Sequence, residues 1–215
     1  MIRHKAVYRG GSGEIVEKKS RFIANIKSVE TVEEAQVYIE EMKKKYWDAR
    51  HNCSAFSVGT EQVTTRCSDD GEPSGTAGKP ILEVISGSGI HNIVVVVTRY
   101  FGGTLLGTGG LIRAYTNAAK EALSVCRLGE LTEGVHAFLD VDYNYVGKVQ
   151  YICAQNDITI VNTEYADGVT FELMMENAAR NVLEKNMTEM SSGKICLRDI
   201  CSMQMYRDDT GKLCR

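Results

Sequence analysis

The sequence predicts an α+β chain of two domains, an N-terminal domain over residues 1–132 and a ferredoxin-like βαββαβ domain over residues 133–215. Three observations carry that expectation. The run Ile93-Val94-Val95-Val96-Val97 is β-branched without polar alternation, so it reads as a central strand covered on both faces. A glycine-rich segment follows it and leads into a long helical pattern. After Gly129 the patterning restarts as strand, helix, strand, strand, helix, strand, which is the ferredoxin-like order.

Taken in order, residues 14–18 and 21–28 form a hairpin pattern in which Phe22, Ala24 and Ile26 alternate with polar neighbours. Thr31 with Glu34 three residues later is a capping box, and Ala35, Ile39, Met42 and Tyr46 then recur at helical spacing as a core stripe. Lys43-Lys44-Lys45 on the same helix reads as a solvated face. Residues 53–59 and 62–67 suggest a second hairpin across Gly59-Thr60-Glu61, and residues 68–75 a loop. A short helix spans residues 76–85 with Pro80 in its first turn, where a missing N–H costs nothing, and Ser86-Gly87-Ser88-Gly89 ends it. The helix after the glycine-rich loop covers residues 111–126. In the second half, strands are expected at 136–142, 158–165, 169–175 and 194–206, and helices at 145–155 and 178–190. Gly129–Gly134 is the junction between domains.

Composition narrows the function classes. With 43% hydrophobic and 25% charged residues the chain is ordinary globular protein. Its apolar runs fall far short of the roughly 20 residues a membrane span needs, and the opening Met1-Ile2-Arg3-His4-Lys5 leads into polar sequence rather than a secretory signal. A cytoplasmic protein without a membrane partner is the expectation. The seven cysteines lack close CxxC or CxH pairs, which argues against a zinc site. Residues 1–132 hold 17 Lys and Arg against 15 Asp and Glu, whereas residues 133–215 hold 8 against 13, so a polyanion would meet the first half.

The strongest motif is Thr98-Arg99-Tyr100-Phe101-Gly102-Gly103 followed by Thr104-Leu105-Leu106-Gly107-Thr108-Gly109-Gly110. Five glycines (Gly102, Gly103, Gly107, Gly109, Gly110) exceed what a connecting turn requires. Glycine permits close backbone approach, and the following helix offers unpaired N–H groups at the positive end of its dipole, so an anion is the natural ligand. Arg99 and Arg113 would add charge, and Tyr100 and Phe101 would stack on a base. The alternative is architecture, with the glycines allowing tight strand-helix packing. Neither a dinucleotide fingerprint nor a Walker A loop fits: Ile112 stands where the first needs glycine, and Pro73 and Pro80 interrupt the second.

A second motif, Ser68-Asp69-Asp70-Gly71-Glu72-Pro73-Ser74-Gly75, gathers three carboxylates in four residues. Asp69, Asp70 and Glu72 suit a divalent cation or acid-base work near His51, and they equally suit a turn in which short polar side chains bond their own backbone. No Ser, Cys or Thr sits in a nucleophile elbow.

The stretch from Ser68 to Thr76-Ala77-Gly78-Lys79-Pro80, together with Val97 through Gly107, resembles the signature of the IMPACT family, whose bacterial members are called YigZ-like. Lys19-Ser20-Arg21-Phe22-Ile23-Ala24 and His51-Asn52-Cys53 with Ala55 resemble the family's opening, so the likeness covers about the first 130 residues closely. It implies a first domain with the fold of ribosomal protein S5 domain 2 and a smaller appended domain, folds that also stand side by side in a translocase elongation factor. Eukaryotic relatives inhibit a stress-activated initiation kinase through an additional N-terminal domain, which is not seen ahead of the core here. The resemblance and the basic first half imply a noncatalytic translation-associated regulator that binds RNA, the ribosome or a translation factor. Its groove would comprise the glycine loop, Arg99, Arg113, Lys79 and the acidic loop, with no cofactor. The alternative is an enzyme acting on a phosphorylated or nucleotide-like small molecule, with a divalent cation at Asp69, Asp70 and Glu72.

Overall fold

The computed structural model describes residues 5–59 and 62–214. They form two compact units that divide the chain between Gly129 and Glu130.

The first unit is built on a five-stranded antiparallel sheet in the order β2 (Ser12–Glu17), β3 (Ser20–Ser28), β7 (Ile93–Tyr100), β4 (His51–Val58), β5 (Thr64–Ser68). Strand β7 lies at its centre and is buried from Ile93 to Arg99. Period-two geometry sends Ile93, Val95 and Val97 to one face, where they pack with Ile81 and Ile85 of α2 (Gly78–Ser88) and Leu111 and Ala118 of α3 (Gly107–Ser124). Val94 and Val96 face the other way, onto Ala35 and Met42 of α1 (Val32–Lys45). Each fully buried aliphatic side chain here contributes about 1.5–3 kcal/mol, which is why an unbroken apolar strand belongs between two helical layers. The remaining strands, β1 (Lys5–Arg9) and β6 (Ile90–His91), are a short parallel pair whose length is too small for any periodicity to announce.

Local chemistry sets the helix ends. The Thr31 hydroxyl accepts the Glu34 N–H at 3.1 Å, and the Glu34 carboxylate accepts the N–H of Glu30 at 2.7 Å, one residue earlier than the reciprocal bond of a capping box. Helix α2 runs through Ser86-Gly87-Ser88, which are its last turn rather than its terminator; left-handed Gly89, at φ 68°, closes it. Helix α3 begins at Gly107, four residues before the apolar stripe that marked its expected start. Part of the expected turn at Gly59-Thr60-Glu61 lies outside the described residues.

The second unit has the antiparallel strand order β9 (Thr159–Tyr165), β10 (Val169–Glu176), β8 (Arg127–Val141), β11 (Leu197–Arg207), with two-residue β12 (Leu213–Cys214) beyond β11. Helices α4 (Val146–Gln155) and α5 (Asn177–Ser191) cover one face, over Val135, Leu139, Phe171 and Leu173. This is the ferredoxin-like arrangement expected from the element order. The strand expected at 136–142 is longer: β8 starts at Arg127 and runs through Gly129–Gly134, because β11 supplies backbone partners as far as Glu130, opposite Arg207. Cys53, Cys67, Cys126, Cys153, Cys196 and Cys201 are free thiols, and Cys196 precedes β11 instead of lying within it.

Candidate functional site

Arg99 is in phase with Val95 and Val97 and therefore continues the helix-covered face of β7, where it is only 6% exposed. Its Nη1 donates to Glu72 Oε1 at 2.6 Å, and the Tyr115 hydroxyl donates to the same oxygen at 2.9 Å. The guanidinium carbon lies 5.4 Å from the Phe22 ring centre and 5.6 Å from that of Phe101, so two aromatic rings flank the cation. Cys53 places its thiol 3.0 Å from the Asp69 carbonyl oxygen and 3.3 Å from the Tyr115 hydroxyl. Burial pushes the Cys53 thiol and the Tyr115 phenol well above their ordinary pKa values, so both are neutral at physiological pH and Cys53 is not an activated nucleophile. Glu72 and Arg99 neutralise each other in a dry setting, where removing either partner would strand a charge.

The acidic loop is likewise turned inward. Asp69 Oδ2 accepts the Gly75 N–H at 2.8 Å, while Oδ1 accepts those of Ala77 and Gly78 at 3.0 and 2.8 Å. One carboxylate thereby ties the loop to the start of α2. Burial alone would raise its pKa, but the three backbone donors outweigh it and hold the carboxyl below the ordinary range. Asp70, at φ 43°, accepts the Asn52 N–H at 2.6 Å, and His51 Nδ1 is 2.8 Å from the Asp70 carbonyl oxygen. The three carboxylates thus take different donors, and among the described residues no group of three His, Cys, Asp or Glu side chains converges as metal ligands.

The glycines divide by what they meet. A Cβ at Gly102 would stand 2.0 Å from the carbonyl carbon of Lys19, so this glycine lets the loop lie against the β2–β3 turn. Gly110 packs on the Leu106 side chain. Gly103 and Gly107 have φ of 86° and 68°, which only glycine adopts readily. Gly109 has no such φ, and a Cβ there would meet nothing within 4 Å. Leu105, 82% exposed, and Phe101, 48% exposed, stand in the same loop. Arg113, one helical turn beyond Gly109, and Lys79, in the first turn of α2, are exposed. Strand alternation turns Tyr100 away from Arg99, and its hydroxyl donates to Asp48 at 2.7 Å. An open groove of about 470 Å³ between α2 and α3, lined in part by Val84, Leu123, Glu83 and Lys120, contains none of these residues.

Two participants escaped sequence reasoning, Tyr115 and Cys53. Tyr115 shares the apolar stripe of α3 with Leu111 and Ala118, and that phase was the available signal that it points inward.

The chain can be set beside known proteins on this geometry. An Impact N-terminal domain model matches residues 18–123, a span that holds all the site residues, and a domain of unknown function, DUF1949, matches residues 139–194. The IMPACT family member YvyE of Bacillus subtilis (strain 168) is 40% identical over 90% of this chain and 89% of its own length. This chain belongs to the IMPACT family. Another IMPACT family member, YigZ of Escherichia coli (strain K12), is 35% identical over 84% of this chain and 89% of its own length. A solved structure described only as a hypothetical protein superposes on this IMPACT chain with a TM-score of 0.58 at 33% identity, covering 92% of this chain and 97% of the other. Among the described residues no helix is long and apolar enough to cross a membrane.

Proposed function

We propose that this IMPACT family member is a noncatalytic, translation-associated regulator that binds RNA, the ribosome or a translation factor. The binding surface is formed by the glycine-rich loop, the first turns of α3 with Arg113, and Lys79. The observation that carries this reading is the contrast around Arg99. The groups that could perform chemistry are spent on one another, while Gly103, Gly107 and Gly109 border open space. The association with translation comes from family membership.

The test is co-sedimentation of the purified chain with ribosomes and with structured RNA at low and moderate salt, beside an Arg113→Ala/Lys79→Ala variant. Salt-sensitive association that the variant loses supports the surface; unchanged association in the variant overturns it. Arg99→Ala is a poor probe, because it would leave Glu72 buried and unpaired. Calorimetric titration with Mg²⁺ tests the enzymatic alternative. No heat of binding is expected, since Asp69, Asp70 and Glu72 are already occupied, and saturable uptake abolished by Asp70→Asn would revive it.

A further inference from the structure

Three chain segments meet where β7 ends. Register places Arg21 opposite Tyr100 and His51 opposite Arg99, which brings the β2–β3 turn and the α1–β4 loop to the same end of the sheet as Phe101. The turn consists of Lys18 and Lys19, between the paired residues Glu17 and Ser20. Both lysines are exposed, and both have positive φ, 46° and 68°. This is a type I′ turn, whose natural occupants are Asn-Gly. Two side chains are held there in a disfavoured conformation, and among the described residues neither lysine makes an ion pair. The glycine loop lies directly on this turn, with the Gly102 N–H donating to the Ser20 hydroxyl at 3.1 Å.

On the other side of β7 stands Trp47, the only tryptophan in the sequence and 82% exposed. Its neighbour Asp48 accepts the Tyr100 hydroxyl, which fixes this loop beside the strand end that Phe101 continues. Arg50, exposed, closes the loop one residue before β4. The result is a rim on which, among the described residues, Lys18, Lys19 and Arg50 make no ion pair and two aromatic rings reach solvent, Trp47 at 82% and Phe101, which also flanks Arg99, at 48% exposure. A duplex would offer phosphates but hide the faces of its bases, and an acidic peptide would satisfy the cations but leave the flat rings without a counterpart. A single strand presents both features together.

We infer that this end of the sheet binds single-stranded nucleic acid, with Trp47 and Phe101 stacking on bases and Lys18, Lys19 and Arg50 contacting phosphates. This rests on the binding role proposed above, narrows it to one ligand class and extends its surface from the glycine-rich loop to the neighbouring β2–β3 turn and α1–β4 loop.

Trp47 is its own reporter. Its fluorescence in the full chain is followed during titration with oligouridylate, oligothymidylate and a duplex of equal length. Salt-sensitive quenching by either single strand, with little by the duplex, is expected, and the ratio of the two strands tells RNA from DNA. Lys18→Asn/Lys19→Gly removes both charges while supplying the residues the turn favours, so its thermal stability should hold or rise. Its affinity should nevertheless fall, and the slope of log affinity against log salt should drop by about 1.4 for two lost contacts to a single strand. Trp47→Ala, read by anisotropy of a labelled strand, should weaken binding about tenfold. Equal quenching by duplex overturns the inference, as does full affinity in the lysine variant. Absence of any fluorescence change while co-sedimentation persists overturns this surface but leaves the broader binding role standing. Absence of both removes the two together.

Discussion

The ring of polar groups around Glu72 and the glycine loop between Gly103 and Gly109 both adjoin the end of β7, and they are built to opposite specifications. In the ring the charged groups bond inside the protein: Glu72 takes Arg99 and Tyr115, and nearby Asp69 takes three backbone N–H groups, while Arg99 Nε is buried without a hydrogen-bond partner among the described residues. In the loop Gly103, Gly107 and Gly109 border open space, and the apolar side chain of Leu105 is 82% exposed. The comparison teaches that charged residue types do not locate a binding surface by themselves. Charges buried with complementary partners hold the loops in place, whereas the surface proposed above for a partner borders open space.

Breaking the ring should have the largest effect. Glu72→Ala strands the Arg99 cation in an apolar setting and should cost about 3–5 kcal/mol in urea unfolding, with the Glu72→Ala/Arg99→Ala double variant losing less than the two single variants together. A full-sized loss for the double variant would mean that the two residues do not act as a pair. The glycines sharpen the contrast. Gly102→Ala drives a methyl group into the Lys19 backbone and should cost about 1–3 kcal/mol, whereas Gly109→Ala meets open space inside a helix and should gain about 0.4–1 kcal/mol. If Gly109→Ala also weakens co-sedimentation, the glycine is there for the partner and not for the fold.

The smallest effect is one of pH. The Asp69 carboxyl is held below the ordinary range, so its ionised form adds stability that is complete above the unfolded carboxyl's pKa near about 4 and fades as pH falls through the lowered folded value. The melting temperatures of the wild type and Asp69→Asn should therefore differ most near neutral pH and converge in acid. A gap independent of pH would mean that the three N–H bonds do not depend on the charge.

Much of this is legible in the sequence. The β-branched run of β7, the Thr31–Glu34 pair and the βαββαβ order each rest on local patterning that survives in the folded chain. Other features are not. The strand expected from residue 136 starts at Arg127, because Gly129 and Gly134 interrupt its pattern while β11 pairs with this segment and holds it extended. The hairpin over residues 14–28 is legible, but its turn falls at Lys18-Lys19 and not at Lys19-Ser20, because neither lysine is a residue type that marks a turn. Arg99 and Glu72 read as ligands for something outside because, 27 positions apart in sequence, nothing local shows that each is the other's partner.

The sequence by itself determined the family, the two-part α+β organisation and the run of elements, since these depend on motifs, periodicity and capping within a few residues of one another. Only the tertiary structure decided which charges face inward, because burial and pairing are properties of segments that meet across the sheet. Arg99 and Arg113 are the same residue type in the same motif, and one is closed in by Phe22, Phe101 and Glu72 while the other stands in solvent.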